Sequence, residues 1–129
     1  AVWSADNRTA GFRVCGVHTK AVRVECRIPG SDVNPYLCCA ALLAAGLAGI
    51  EGKLALEPEM KGDMYNAAGV REIPGNLRDA AALLRGSAML RAAFGDDVVE
   101  HYAHAAAWEI SETDRVVTDF ELQRLLERA

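Results

Sequence analysis

Apolar and polar positions alternate along two early stretches, Ala10 to Val17 and Ala21 to Ile28, separated by the polar triplet His18-Thr19-Lys20. A period of two predicts strands, and so short a polar break between them predicts an antiparallel hairpin. In the second stretch Arg23, Glu25 and Arg27 share one face. Val22, Val24, Cys26 and Ile28 share the other, which is expected to bury. Pro29-Gly30 ends that strand, and Asn34-Pro35 is a helix start with Pro at the first helical position.

Beyond this point the period changes. Tyr36 to Ile50 is apolar throughout and carries no charge, which predicts a core helix too short to span a bilayer. Glu51 to Gly75, with prolines and glycines among charged residues, predicts a long irregular loop of the kind that often carries function. Asn76 caps a helix with an apolar stripe at Leu77, Ala80, Leu83 and Leu84, closed by Gly86. Ser87 opens a short helix to Phe94, and Asp96-Asp97 opens a longer one that runs to Ile110. A last helix starts near Thr118, where Glu121 completes a capping box. The expected fold is α+β: an antiparallel hairpin followed by four or more helices, with residues 1–129 sharing one core.

Composition narrows the function. A net charge of −4 without any long Lys/Arg run argues against a nucleic-acid partner. Cys15, Cys26, Cys38 and Cys39 form no CxxC pair, so reduced, buried thiols are expected rather than a structural metal site. No basic-then-apolar leader is visible at the start of the sequence, so a cytoplasmic location without a membrane partner is the expectation. The start without Met suggests a fragment or a processed product. His101 and His104 lie three apart on a helix without a third ligand nearby, and read as packing or surface residues. Trp108 and Phe120 read as core or subunit contacts.

The charged face Arg23, Glu25, Arg27 has two readings. One is a solvated ladder of ion pairs. The other is a site in which guanidiniums grip phosphate or carboxylate and the carboxylate holds a hard divalent cation.

Motifs favour the second. Asp6-Asn7-Arg8-Thr9, Phe12-Arg13-Val14, Arg23 through Gly30 and Asp32-Val33-Asn34-Pro35-Tyr36-Leu37 resemble, in order and spacing, the C-terminal catalytic signature of the glutamine synthetase family. Gly62-Asp63-Met64-Tyr65, Ile73-Pro74-Gly75-Asn76-Leu77 and Val117 through Leu122 look most like its gamma-glutamylputrescine and gamma-glutamylpolyamine synthetase branch. The resemblance covers nearly the whole chain. It implies an ATP-dependent ligase, working with Mg²⁺ or Mn²⁺, that joins glutamate to ammonia or an amine through a gamma-glutamyl phosphate, in rings of identical subunits.

Residue by residue, Arg8 resembles the Arg that stabilises the transferred phosphoryl group, and Arg27 the one near the substrate's charged end. Arg13 and Arg23 resemble nucleotide-binding arginines, Lys20 stands at a turn where some members bind the nucleotide with Lys, and Glu25 resembles a metal-binding Glu. Arg8 and Arg13 differ in parity, so Arg8 is expected to precede the strand. Tyr65 lies where some bacterial members carry an adenylylated Tyr, but Met64-Tyr65-Asn66 departs from that motif. The family's beta-grasp domain and further metal-binding Glu and His residues have no counterpart here, so a catalytic fragment is expected, inactive alone; the alternative is a non-catalytic relative serving binding or assembly.

Overall fold

Three short strands, β1 (Trp3–Ala5), β2 (Phe12–Cys15) and β3 (Arg23–Cys26), form one sheet in the order β1-β2-β3 in the computed structural model, which describes residues 2–126 and 128. β2 and β3 are the expected antiparallel pair, with Arg13 opposite Glu25 and Val14 opposite Val24. The addition is β1, which lies parallel to β2 with Ser4 beside Arg13. Parallel neighbours usually need a crossover of about a dozen residues. Here residues 6–11 suffice, because Asp6 adopts the left-handed conformation (φ 52°) that a short polar side chain tolerates and turns the chain sharply.

The hairpin strands are shorter than their apolar alternation suggests, because the turn is wider than its polar triplet. Gly16 has φ +65°, and a Cβ there would stand 2.9 Å from the Ala21 carbonyl oxygen. Its own carbonyl accepts from both the amide and the hydroxyl of Thr19. Alternation thus continues past the point where the ladder has closed.

Helix α1 (Pro35–Glu51) starts as expected: the Asn34 side chain accepts from the amides of Tyr36 and Leu37 at 3.0 and 3.2 Å, with Pro35 in the first turn. Its expected role as a core helix is not observed. α1 buries no residue, and Tyr36, Leu43 and Ile50 are exposed. Apolar on every side, it has no polar face to select an orientation, and the described residues cover it only in part, leaving Leu37, Ala41, Ala44 and Ala48 half-buried. The apolar face of β3 behaves alike: Val24 is 68% exposed. Cys15 is buried, but Cys39 on α1 is exposed rather than buried.

The chain divides into two compact units, Ala1–Ile73 and Pro74–Ala129. In the second, α2 (Leu77–Gly86) and α3 (Ala88–Phe94) each pack on α4 (Asp96–Asp114), followed by α5 (Asp119–Leu126). Every start uses the expected cap where a side chain supplies one. Asn76 accepts from Asp79 N, Ser87 from Leu90 N, and Thr118 from Glu121 N, with Glu121 accepting in return from the Thr118 amide. Gly95, at φ 84°, allows the break between α3 and α4. The packed centre is small residues, Val99 and Ala103, both under 3% exposed. Leu77, Leu83, Trp108 and Phe120, expected inside or at contacts, remain about half exposed or more.

Candidate functional site

The sheet places its charges by register. Directly opposed residues of an antiparallel pair share a face, so Arg13 and Glu25 meet across β2 and β3, and Arg27 follows two positions beyond Glu25. One Glu25 oxygen accepts from Arg13 Nη1 at 3.1 Å and from the Cys15 thiol at 3.6 Å; the other accepts from Arg27 Nη1 at 2.7 Å. Arg13 also donates from Nη2 to Asp6, while its Nε is buried without a partner. Arg27, and less strongly Arg13, hold the Glu25 carboxyl below the ordinary carboxylate range despite partial desolvation. Asp6 above all, then Cys15 and Glu25, raises the Arg13 guanidinium against partial desolvation.

The loop at residues 57–64 closes the sheet's other edge. Met60 N donates to the Trp3 carbonyl, the Ser4 hydroxyl donates to the Met60 carbonyl at 2.6 Å, and the Glu59 carboxylate accepts from the Ala5 amide. That amide, and then Lys61, keep the Glu59 carboxyl below its ordinary range. Met64–Asn66 forms a single 3₁₀ turn capped by Asp63, which carries Tyr65 exposed.

Arg8 stands where its parity placed it, in the turn before β2. Its carbonyl accepts from Arg27 Nε at 2.9 Å. Its guanidinium makes no hydrogen bond or ion pair among the described residues. Arg8 and Arg27 line one cavity of about 410 Å³, whose remaining wall includes Thr9, Gly11, Tyr65 and Ile73. Two guanidiniums, one tethered and one free, suit an anionic group with several oxygens.

The structure therefore brings together Arg13, Glu25 and Arg27, with Arg8 adjacent through its backbone. It does not bring in Arg23, whose Nη1 donates to the Ala21 carbonyl at 3.3 Å, or Lys20, which is exposed in the turn. Asp6 and Cys15 complete the network, and Glu59 ties the neighbouring loop to β1; none was singled out from the sequence. Asp6 and Cys15 had a usable signal, since each sits in or beside the quoted motifs; Glu59 had none, because its partner is a backbone amide distant in sequence.

A hard divalent cation needs about six oxygen ligands. Glu25 offers one carboxylate already bracketed by two guanidiniums, and no group of three His, Cys, Asp or Glu residues suited to a metal exists among the described residues. These residues do not by themselves fit a Mg²⁺ or Mn²⁺ ion. No helix among the described residues is long and apolar enough to cross a membrane.

Comparison with known proteins gives this geometry a context. A family model described as "Glutamine synthetase, catalytic domain" matches residues 1–125. The chain is 48% identical over 126 residues to gamma-glutamylethanolamide synthetase of Streptomyces coelicolor, covering 98% of this chain and 27% of that protein. It is 42% identical to a glutamate–isopropylamine ligase of a Pseudomonas species, covering 97% of this chain and 28% of that one. Glutamine synthetase of Thermus thermophilus is 36% identical, covering 96% and 29%. The chain thus spans a little over a quarter of the length of these relatives.

Proposed function

From the premise that the chain belongs to the glutamine synthetase catalytic-domain family, we propose that it forms one wall of the active site of an ATP-dependent ligase joining the gamma-carboxyl of glutamate to ammonia or an amine. The observation that carries this reading is the shared cavity of Arg8 and Arg27 beside the Arg13–Glu25 pair. Transfer of a phosphoryl group spreads charge over its oxygens, so catalysis rests on positioning and on cationic groups already aimed at that charge. Arg8, whose guanidinium has no protein partner among the described residues, contacts the transferred phosphoryl group in this reading. Arg27, tethered by Glu25 and by the Arg8 carbonyl, presents its remaining Nη2 to the charged end of the substrate. By the family resemblance Arg13, Arg23 and Lys20 take the nucleotide, Arg23 and Lys20 from outside the Arg13–Glu25–Arg27 cluster.

Mg²⁺ or Mn²⁺, when bound, would neutralise phosphate charge; Glu25 would offer it one carboxylate at most, and every other ligand would have to come from outside these residues. The exposed apolar surfaces of α1 and of β3 are the faces those segments, or neighbouring subunits of a ring, would cover. Amines enter as acceptors because two relatives at over 40% identity carry ethanolamide and isopropylamine in their names.

Phosphate release by the full-length protein, followed with ATP, Mg²⁺, glutamate and a panel of ammonia, alkylamines, ethanolamine and polyamines, tests the proposal. Phosphate release stoichiometric with a gamma-glutamyl amide is expected with at least one acceptor, and none with any acceptor rejects the ligase reading. The isolated 129-residue chain is expected to give no sustained turnover in the same assay.

A further inference from the structure

The Arg8 turn is held to the loop opposite by two side chains that no motif role accounts for. Asn7 Oδ1 accepts from the Thr9 amide at 2.9 Å and from the Thr9 hydroxyl at 2.8 Å, and Asn7 Nδ2 donates to the Gly62 carbonyl at 2.8 Å. The Thr9 oxygen in turn accepts from the Met64 amide at 3.0 Å. Met64 N–H donates to the Thr9 oxygen, whose own proton has two acceptors within reach, Asn7 Oδ1 at 2.8 Å and the Gly62 carbonyl at 3.5 Å; the shorter bond goes to Asn7, whose amide reaches Gly62. Gly62 itself has φ +90°, a conformation that presents its carbonyl here and that few other residues adopt.

Arg8 lies between the two residues of this pair. With Asn7 and Thr9 pinned on either side, and its carbonyl held by Arg27, the backbone of Arg8 is tied at three successive residues. The Thr9 bond also holds Met64, which with the neighbouring Tyr65 lines the cavity that Arg8 and Arg27 share. We propose that Asn7 and Thr9 are positioning residues: they latch the 62–64 segment to the Arg8 turn, and so fix where the free guanidinium stands relative to Arg27 when a phosphoryl group is bound. The inference rests on the ligase reading for its catalytic consequence, and on hydrogen bonds alone for the latch.

The test uses full-length protein carrying Thr9→Val, which removes the hydroxyl at nearly constant shape, Thr9→Ser, which keeps it, and Asn7→Asp, which keeps the bonds from Thr9 and loses the donor to Gly62. Three quantities are read: hydrogen exchange at the Met64 amide, affinity for inorganic phosphate, and kcat and KM for amide formation. Thr9→Val should exchange faster at Met64, bind phosphate about tenfold more weakly, as expected for one charge-assisted hydrogen bond, and lose about 100-fold in kcat, as expected for a misplaced catalytic group. KM for the amine should stay near parental, and Thr9→Ser should restore all three. Asn7→Asp should move in the same direction, and stands in if Thr9→Val fails to fold. Faster exchange with parental phosphate affinity and kcat overturns the positioning role, and unchanged exchange overturns the latch. If the parent makes no gamma-glutamyl amide at all, the ligase reading fails, and exchange with phosphate affinity decides the latch alone.

Discussion

Among the described residues each unit holds an arginine–carboxylate network, and the two differ in what lies next to them. Arg13, Glu25 and Arg27 lie on the sheet; Arg91, Asp96 and Glu100 join α3 to α4. Each contains a carboxyl held below its ordinary range chiefly by an arginine, Glu25 by Arg27 and Glu100 by Arg91. Arg91, however, turns Nε and Nη2 to the Arg85 carbonyl at 3.0 and 2.7 Å, which satisfies an acceptor left open near the end of α2. All of its reach goes into stitching helices. In the sheet, Arg27 keeps a nitrogen over and Arg8 keeps a whole guanidinium, both on a cavity. Perturbed charges alone do not mark a site; spare hydrogen-bonding capacity beside a cavity does.

Substitutions in the two networks should separate this distinction. Glu25→Gln in the full-length protein is expected to cut turnover on the order of 100-fold or more, since it frees both arginines it orients and removes a carboxylate. A parental rate at limiting Mg²⁺ would place Glu25 in the same class as Glu100. Arg8→Lys should lower kcat by about 10- to 100-fold with little change in KM for ATP, because an ammonium cannot replace a planar fork. A raised KM with kcat preserved would make Arg8 a ground-state nucleotide contact.

In the helical unit, Arg91→Ala should leave kcat and KM parental while lowering the thermal midpoint, read by circular dichroism; a loss of turnover would erase the contrast between the networks. Both networks should also respond to acid. A carboxyl lowered from its ordinary value of 4.5 stabilises the fold above that value, and the contribution is lost as pH falls through the lower native one. Denaturant titrations between about pH 6 and about pH 3 should therefore show a smaller loss of stability in Glu25→Gln and in Glu100→Gln than in the parent. Smallest is the cap: Asn76→Ala should cost about 1 kcal/mol, measured by the denaturation midpoint.

The elements read from the sequence succeeded where the cause is local. Asn34, Asn76, Ser87 and Thr118 cap helices because a side-chain oxygen two or three residues from an open amide reaches it without help from the rest of the fold. The alternation of Arg23, Glu25 and Arg27 likewise needs only the pleat. What was not legible depends on contacts distant along the chain. β1 carries only three residues, too few for a periodic signal, and is held by β2 and by the 57–62 segment. α1 reads as core by composition, but burial is a property of neighbours, and composition does not say where they are.

The candidate site divides along the same line. The amino-acid sequence by itself determined the strand face that bears Arg23, Glu25 and Arg27, the helix caps and the family motifs, because each follows from spacing within a dozen residues. Only the tertiary structure decided that Glu25 is bracketed by Arg13 and Arg27, that Arg23 turns back to Ala21, and that Arg8 lines, without a side-chain partner among the described residues, a cavity closed by a loop more than fifty residues away in sequence. Strand register and loop closure set those distances, and neither is written in any local pattern of residues.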